Sequence, residues 1–249
     1  MNIKKFQPTK VYILNLRNLC ECCIFFLNSI IVMKIKSFQG GFDNNLSYLI
    51  WCESTHIAGI VDASVNMTKI NETIAMNDLL LEKVLITHTH SDHISFLNDI
   101  LYQFPQVQLC GYEKPEIKLS NHYRKLIHHE IISLGNEMIT SLYTPGHYPD
   151  SLCFWNKKDN IIFTGDTMFV GRTGRTIGTK SNISHLYTSI YTQILKLPEQ
   201  TTIYPGHHYG YTPHVTLKEN VTLSPFFQCS SKSEFIKVMA AYEKGRNTC

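Results

Sequence analysis

Read by its alternation of apolar and polar positions, the chain from Lys34 onward divides into short strands and a few helices. Residues 48–51 and 58–61 are apolar runs separated by polar residues, and they predict a strand pair. Residues 82–87 predict a further buried strand. A helix is expected over 94–104, with Asp92 as its N-cap and Pro105 as its stop. Strands are expected at 137–143, 151–155 and 161–164, with a turn at 156–160. Ile183, Leu186, Ile190, Ile194 and Leu197 recur at helical spacing, and Pro198 ends that helix. A strand at 201–204 leads into Pro205 and Gly206, and a final helix over 233–244 puts Phe235, Met239 and Tyr242 on one face. Strands in two groups, each followed by helices, imply sheets covered by helices on their outer faces. No internal repeat or low-complexity segment is present.

Residues 1–32 break from this pattern. Lys4, Lys5, Lys10 and Arg17 precede an apolar run over 22–33, which is shorter than the ~20 residues of a membrane span. No small-residue cleavage site follows the run, so a signal peptide fits poorly. The expectation is an N-terminal extension over 1–32 outside the fold, and one domain over 33–249, with Met33 reading well as a start.

Composition narrows the function. Charged residues make up 17% of 249 positions and the net charge is +3, so an ordinary globular chain is expected and no nucleic-acid partner. No membrane partner is expected either. The eight cysteines form no paired CxxC units, which favours reduced thiols and a cytoplasmic setting over a disulfide framework. Twelve histidines invite a search for a metal site.

The densest signal is Thr87-His88-Thr89-His90-Ser91-Asp92-His93, at the end of a predicted strand. Imidazoles and a carboxylate together suit zinc, iron or manganese. His88 and His90 are two apart, so in extended chain they point the same way. Asp92 and His93 fall where the chain turns, so they can face a neighbouring ion. Three more segments pair a strand with a glycine turn and a metal-capable residue: Thr144-Pro145-Gly146-His147, Thr164-Gly165-Asp166 and Tyr204-Pro205-Gly206-His207-His208. Each is weak alone, and in order behind His88–His93 they are strong together.

This ordered set resembles the metallo-β-lactamase superfamily, and residues 163–176 with 203–210 resemble its hydroxyacylglutathione hydrolase (glyoxalase II) branch and persulfide dioxygenase relatives. The resemblance implies an α/β fold of four layers (αββα), two mixed sheets flanked by helices. It implies two divalent metal ions, zinc first and iron or manganese as alternatives. His88, His90 and His147 would hold one; Asp92, His93 and His207 the other; Asp166 would bridge them. Asp62 would support the site from behind, and His207 matches the ligand position better than His208. A hydroxide between the ions would attack a thioester carbonyl, with Asp92 as the residue also able to handle protons. Arg175 and Tyr209 match positions that contact a glutathione-linked small-molecule substrate, and Arg172 is a weaker candidate of the same kind. Glyoxalase II relatives carry a longer helical C-terminal region, so a different or smaller thioester is an open alternative. So is a mononuclear iron dioxygenase acting on glutathione persulfide, with His88 or His90, His147 and Asp166 as ligands.

Overall fold

The computed structural model describes residues 32–119 and 122–246. The expected extension over 1–32 therefore lies, but for Val32, outside the described residues. Two six-stranded sheets face each other. The first runs β1 (Lys34–Gly40), β2 (Asn45–Trp51), β3 (Ile57–Val61), β4 (Leu80–Leu85), β5 (Gln108–Tyr112), β6 (Tyr123–Leu126) in that order across the sheet. The second runs β14 (Val215–Thr216), β13 (Thr202–Pro205), β10 (Ile161–Gly165), β9 (Leu152–Asn156), β8 (Glu137–Tyr143), β7 (Ile131–Leu134). A small hairpin, β11 (Met168–Phe169) with β12 (Arg172–Thr173), stands apart. Both sheets are mixed: β3 to β6 pair parallel while β1 to β3 pair antiparallel, and β10 pairs parallel with β13 but antiparallel with β9.

Alternation along the strands divides the core into three. In β2, Leu46, Tyr48 and Ile50 face the second sheet while Leu49 faces outward; in β10, Ile161 and Phe163 face inward while Ile162 faces out. Outside the first sheet, helices α1 (Thr68–Met76) and α2 (Leu97–Gln103) bury Ile70, Ile74, Leu97 and Ile100. Outside the second, α3 (Ile183–Thr188), α4 (Leu217–Leu223) and α5 (Lys232–Arg246) bury Leu186, Leu217, Phe235 and Met239. The result is the expected four-layer αββα sandwich. Each large side chain sealed between the sheets, Phe154 and Phe163 among them, contributes about 1.5–3 kcal/mol.

The structure departs from the sequence reading in local ways. Asp92 caps no helix: it sits in a 3₁₀ turn, Ser91–His93, and α2 begins only at Leu97, with Phe96 before it and no side-chain cap. The carboxylate is instead drawn to Asn45 and to the imidazoles beside it. The helix expected through Leu197 is α3 followed by a π turn, Ser189–Gln193, and a 3₁₀ turn, Ile194–Lys196, which keep Ile190 and Ile194 buried. Strands β5, β6 and β7 and helix α1 fall outside the elements expected from the sequence; the strands are short and form through tertiary pairing, while α1 buries Ile70 and Ile74 one turn apart. No helix among the described residues is long and apolar enough to cross a membrane.

Candidate metal centre

Four chain segments end at one place because backbone bonds tie the strand ends together. Leu152 N donates to Thr87 O at 2.7 Å, Gly206 N to Gly165 O at 2.8 Å, and Leu46 N to Gly206 O at 2.8 Å. The last bond, with Tyr48 Oη donating to Pro205 O at 2.6 Å, joins the two sheets at the site. Gly206 is needed here: a Cβ at that position would stand 2.5 Å from Asp166 Oδ1 and 2.6 Å from His93 Cε1.

These ties bring together the seven side chains expected at the centre. The ligating atoms of His88, His90 and His147 lie within 4.8 Å of one another, and so do those of Asp92, His93 and His207. Asp166 stands between the two groups. Its Oδ2 is 3.4 Å from His147 Nε2 and 3.4 Å from His207 Nε2, and its Oδ1 is 3.2 Å from His93 Nε2. His208 turns away, to Gln39 Oε1 at 3.0 Å.

The far side of each ring decides what the near side can do. A carbonyl or carboxylate oxygen only accepts, so the nitrogen facing it must carry the proton. His147 Nδ1–H donates to Arg175 O at 2.9 Å, His207 Nδ1–H to Asp43 O at 2.7 Å, and His93 Nδ1–H to Asp62 Oδ2 at 2.8 Å. Thr87 Oγ1 gives its proton to Asp62 Oδ2 at 2.7 Å and so accepts from His88 Nδ1 at 3.2 Å. In the neutral rings, then, Nε2 of His88, His93, His147 and His207 presents a lone pair inward. Two such nitrogens, on His93 and His207, face each other at 3.2 Å, and His90 Nδ1 lies 2.9 Å from His88 Nε2 and 3.0 Å from His147 Nε2. Asp166 Oδ1 is buried without a hydrogen-bond partner. Converging lone pairs of this kind repel unless positive charge sits among them, and imidazole with carboxylate is a donor set for zinc, iron or manganese.

The electrostatics agree. Burial alone would raise the Asp166 carboxyl, yet the His93 and His207 imidazoles hold it well below the usual range. Burial would likewise raise Asp92, but the bond to His207, the nearby His93 and the Asn45 amide bring it down. Burial pulls on His93 and His207 the other way, and the carboxylates prevail, raising His93 and moving His207 up to about 9. Burial and neighbouring imidazoles push His88 down and His90 down to about 4. The carboxylates thus draw cationic charge into the centre.

Asp62 is 1% exposed, with φ +57°, and accepts from Thr87 N, Thr87 Oγ1 and His93 Nδ1. Two further supports had no clear signal in the sequence. Asp150 accepts from Thr89 N, Thr89 Oγ1 and Glu116 N, fixing the residue between His88 and His90. Asn45 holds Asp92 at 2.8 Å. The only hint of Asp150 was its place three residues after His147.

The centre opens into a cleft of about 530 Å³. Its floor includes His90, Asp92, His147, Asp166 and His207, and its walls include Phe42, Phe169, Arg172, Arg175, Tyr209 and Tyr242. Tyr209 stacks on His207 with centroids 4.8 Å apart and planes 2° from parallel, and its hydroxyl donates to Asp43. Arg172 lies over the Tyr209 ring at 4.0 Å. Arg175, expected to face substrate, does line the cleft, and its Nε is also 3.2 Å from Glu243 of α5.

Comparison with known proteins agrees with this picture. The model of the metallo-beta-lactamase superfamily matches residues 40–208. A "Probable hydroxyacylglutathione hydrolase" of Schizosaccharomyces pombe is 32% identical over 174 residues, which are 68% of this chain and 66% of that protein, just under two thirds of its length. "Probable polyketide biosynthesis zinc-dependent hydrolase PksB" of Bacillus subtilis is 30% identical over 209 residues, covering 83% of this chain and 91% of that one. Among solved structures, ETHE1 from Myxococcus xanthus superposes with a TM-score of 0.72 at 27% identity, over 84% of this chain and 90% of its own. With the family model spanning most of its length and the histidine-aspartate centre in place, this chain belongs to the metallo-beta-lactamase superfamily.

Proposed function

We propose that this chain is a metallo-hydrolase of the hydroxyacylglutathione hydrolase branch, cleaving a small-molecule thioester. The observation that carries the reading is Asp166, whose Oδ2 is 3.4 Å from a nitrogen of each histidine group. In this reading His88, His90 and His147 would hold one divalent ion and Asp92, His93 and His207 a second, with Asp166 available to either, zinc being the first choice and iron or manganese also suited. Bound ions there supply Lewis acidity toward the thioester carbonyl and lower the pKa of a water toward neutrality.

The chain's own residues do the positioning. Asp62 orients His93 through its Nδ1–H, and the carbonyls of Asp43 and Arg175 orient His207 and His147 in the same way. Asp92 lines the cleft beside His207 and is the carboxylate placed to take a proton from an attacking water. Arg175 and Tyr209 flank the cleft as substrate contacts. The relatives named hydroxyacylglutathione hydrolase and zinc-dependent hydrolase support the reaction class. A cytoplasmic setting goes with a thiol-linked substrate and with Cys52, Cys110, Cys153 and Cys229, which are free and buried.

The test is hydrolysis of S-D-lactoylglutathione by metal-replete protein, followed by absorbance. Turnover is expected, lost on chelation and restored by zinc; no turnover above buffer would remove this substrate. A one-iron persulfide dioxygenase is the second reading. It needs only His88 or His90 with His147 and Asp166, and leaves Asp92, His93 and His207 without an ion. One iron per chain, with oxygen uptake on glutathione persulfide, would favour it.

A further inference from the structure

The outer half of the cleft holds two arginines in unequal states. Arg175 Nε faces both carboxylate oxygens of Glu243, at 3.3 and 3.2 Å, and the Glu243 side chain is only 16% exposed. Arg172 instead lies flat on Tyr209 and donates through NH1 to the Tyr242 hydroxyl at 2.8 Å, while its Nε is buried without a partner. Glu243 and Tyr242 both come from the last turns of α5, so one helix treats the two cations differently.

We propose that Glu243 sets the selectivity of the cleft for the thiol arm of the substrate, favouring arms with at most one carboxylate over dicarboxylate arms. This rests on the thioesterase reading above and names the arm it leaves open. An arm with two carboxylates, as in glutathione, gains most from two uncompensated cations. Here Glu243 already neutralises Arg175, and a second carboxylate arriving there would meet the first at close range. Repulsion built against one ligand discriminates as effectively as attraction toward another. Arg172 lines the cleft with its charge held over an aromatic face and no carboxylate paired with it among the described residues, and suits a single anionic group. A thiol arm carrying amides in place of carboxylates meets no opposition from Glu243.

The experiment measures binding and turnover with two chemically defined arms. Binding of S-methylglutathione, a dicarboxylate thioether that cannot be hydrolysed, is followed by calorimetry on the metal-replete full chain. Steady-state KM is measured for S-lactoylglutathione and for S-lactoyl-N-acetylcysteamine, which has no carboxylate. Glu243→Gln should tighten S-methylglutathione and lower the KM for the glutathione ester by about fivefold, as expected for releasing a partly exposed ion pair. The KM for the N-acetylcysteamine ester should stay within about twofold of wild type on the same scale. Adding Arg175→Met to Glu243→Gln should cancel the gain. Weaker binding by Glu243→Gln would mean that Glu243 positions Arg175 for substrate and would overturn the proposal. An unchanged affinity, or no binding to either protein, would also overturn it. If the binding shift is seen but neither ester is turned over, selectivity stands and the thioesterase reading falls. Turnover without the shift would keep the thioesterase reading and remove the role given to Glu243.

Discussion

The floor of the cleft and its outer wall are built on different principles. The floor rests on a sealed layer: His88, His93 and Asp62, behind the residues that line the cleft, are each at most 1% exposed, and every inward ring except His90 is fixed from behind by a named acceptor. Three of those acceptors, Asp62, Thr87 and Asp43, sit just past strand ends or in a turn of the first sheet, and the fourth, the Arg175 carbonyl, follows the small hairpin, so the floor takes most of its rigidity from the first sheet. The wall is assembled from Arg172, Arg175, Tyr209 and the end of α5, through half-exposed ion pairs and ring contacts. Such contacts are individually weak and solvent-screened. The difference teaches that metal retention and substrate choice are separable here: the first is set by buried hydrogen bonds, the second by a surface that can be altered piecemeal.

The strongest blow to the floor is removal of the ions themselves. Dialysis against chelator should take thioesterase activity to the level of buffer alone while far-ultraviolet circular dichroism stays native, because the three apolar cores do not run through the centre. Loss of the native spectrum would show that floor and scaffold cannot be divided. Next in size, Asp62→Asn removes the carboxylate charge behind His93 and leaves one acceptor oxygen for three donors, and should weaken metal affinity about 10- to 100-fold, read by competition with a chromogenic chelator. Asp150→Ala leaves Thr89 N and Glu116 N unpaired, and should cost about 1–3 kcal/mol in urea unfolding. The smallest effect is expected on the wall. Tyr209→Phe keeps the ring on His207 and loses only the hydroxyl bond to Asp43, worth about 0.5–1.5 kcal/mol, and should change KM a few-fold without touching metal affinity. Metal affinity falling as far in Tyr209→Phe as in Asp62→Asn would erase the distinction.

The same division marks what the chain discloses by itself. The floor is legible because its residues follow strands in fixed order, each behind a glycine turn or within one dense cluster: His88 to His93, His147, Asp166, His207. Strands β2, β9 and β10 are legible as short apolar runs, but because both of their faces are buried the sequence does not mark which residues point between the sheets. Asp92 misled as a helix cap because an aspartate before an apolar run looks the same whether it serves backbone N–H groups or a cluster of imidazoles. Asp150 and Asn45 were hidden because their partners, Thr89 and Asp92, lie 61 and 47 positions away and nothing local marks them. The pairing of Arg175 with Glu243 spans 68 positions and depends on where α5 docks, which helical periodicity alone does not fix.

The bond from His147 to Arg175 runs through the main-chain oxygen of residue 175, not through its guanidinium. Any amino acid at that position offers the same oxygen. Evolution, or a designer, can therefore rewrite the side chain that greets incoming molecules while the imidazole beneath keeps its tether. New substrate preferences can arise at residue 175 on an inherited reactive centre.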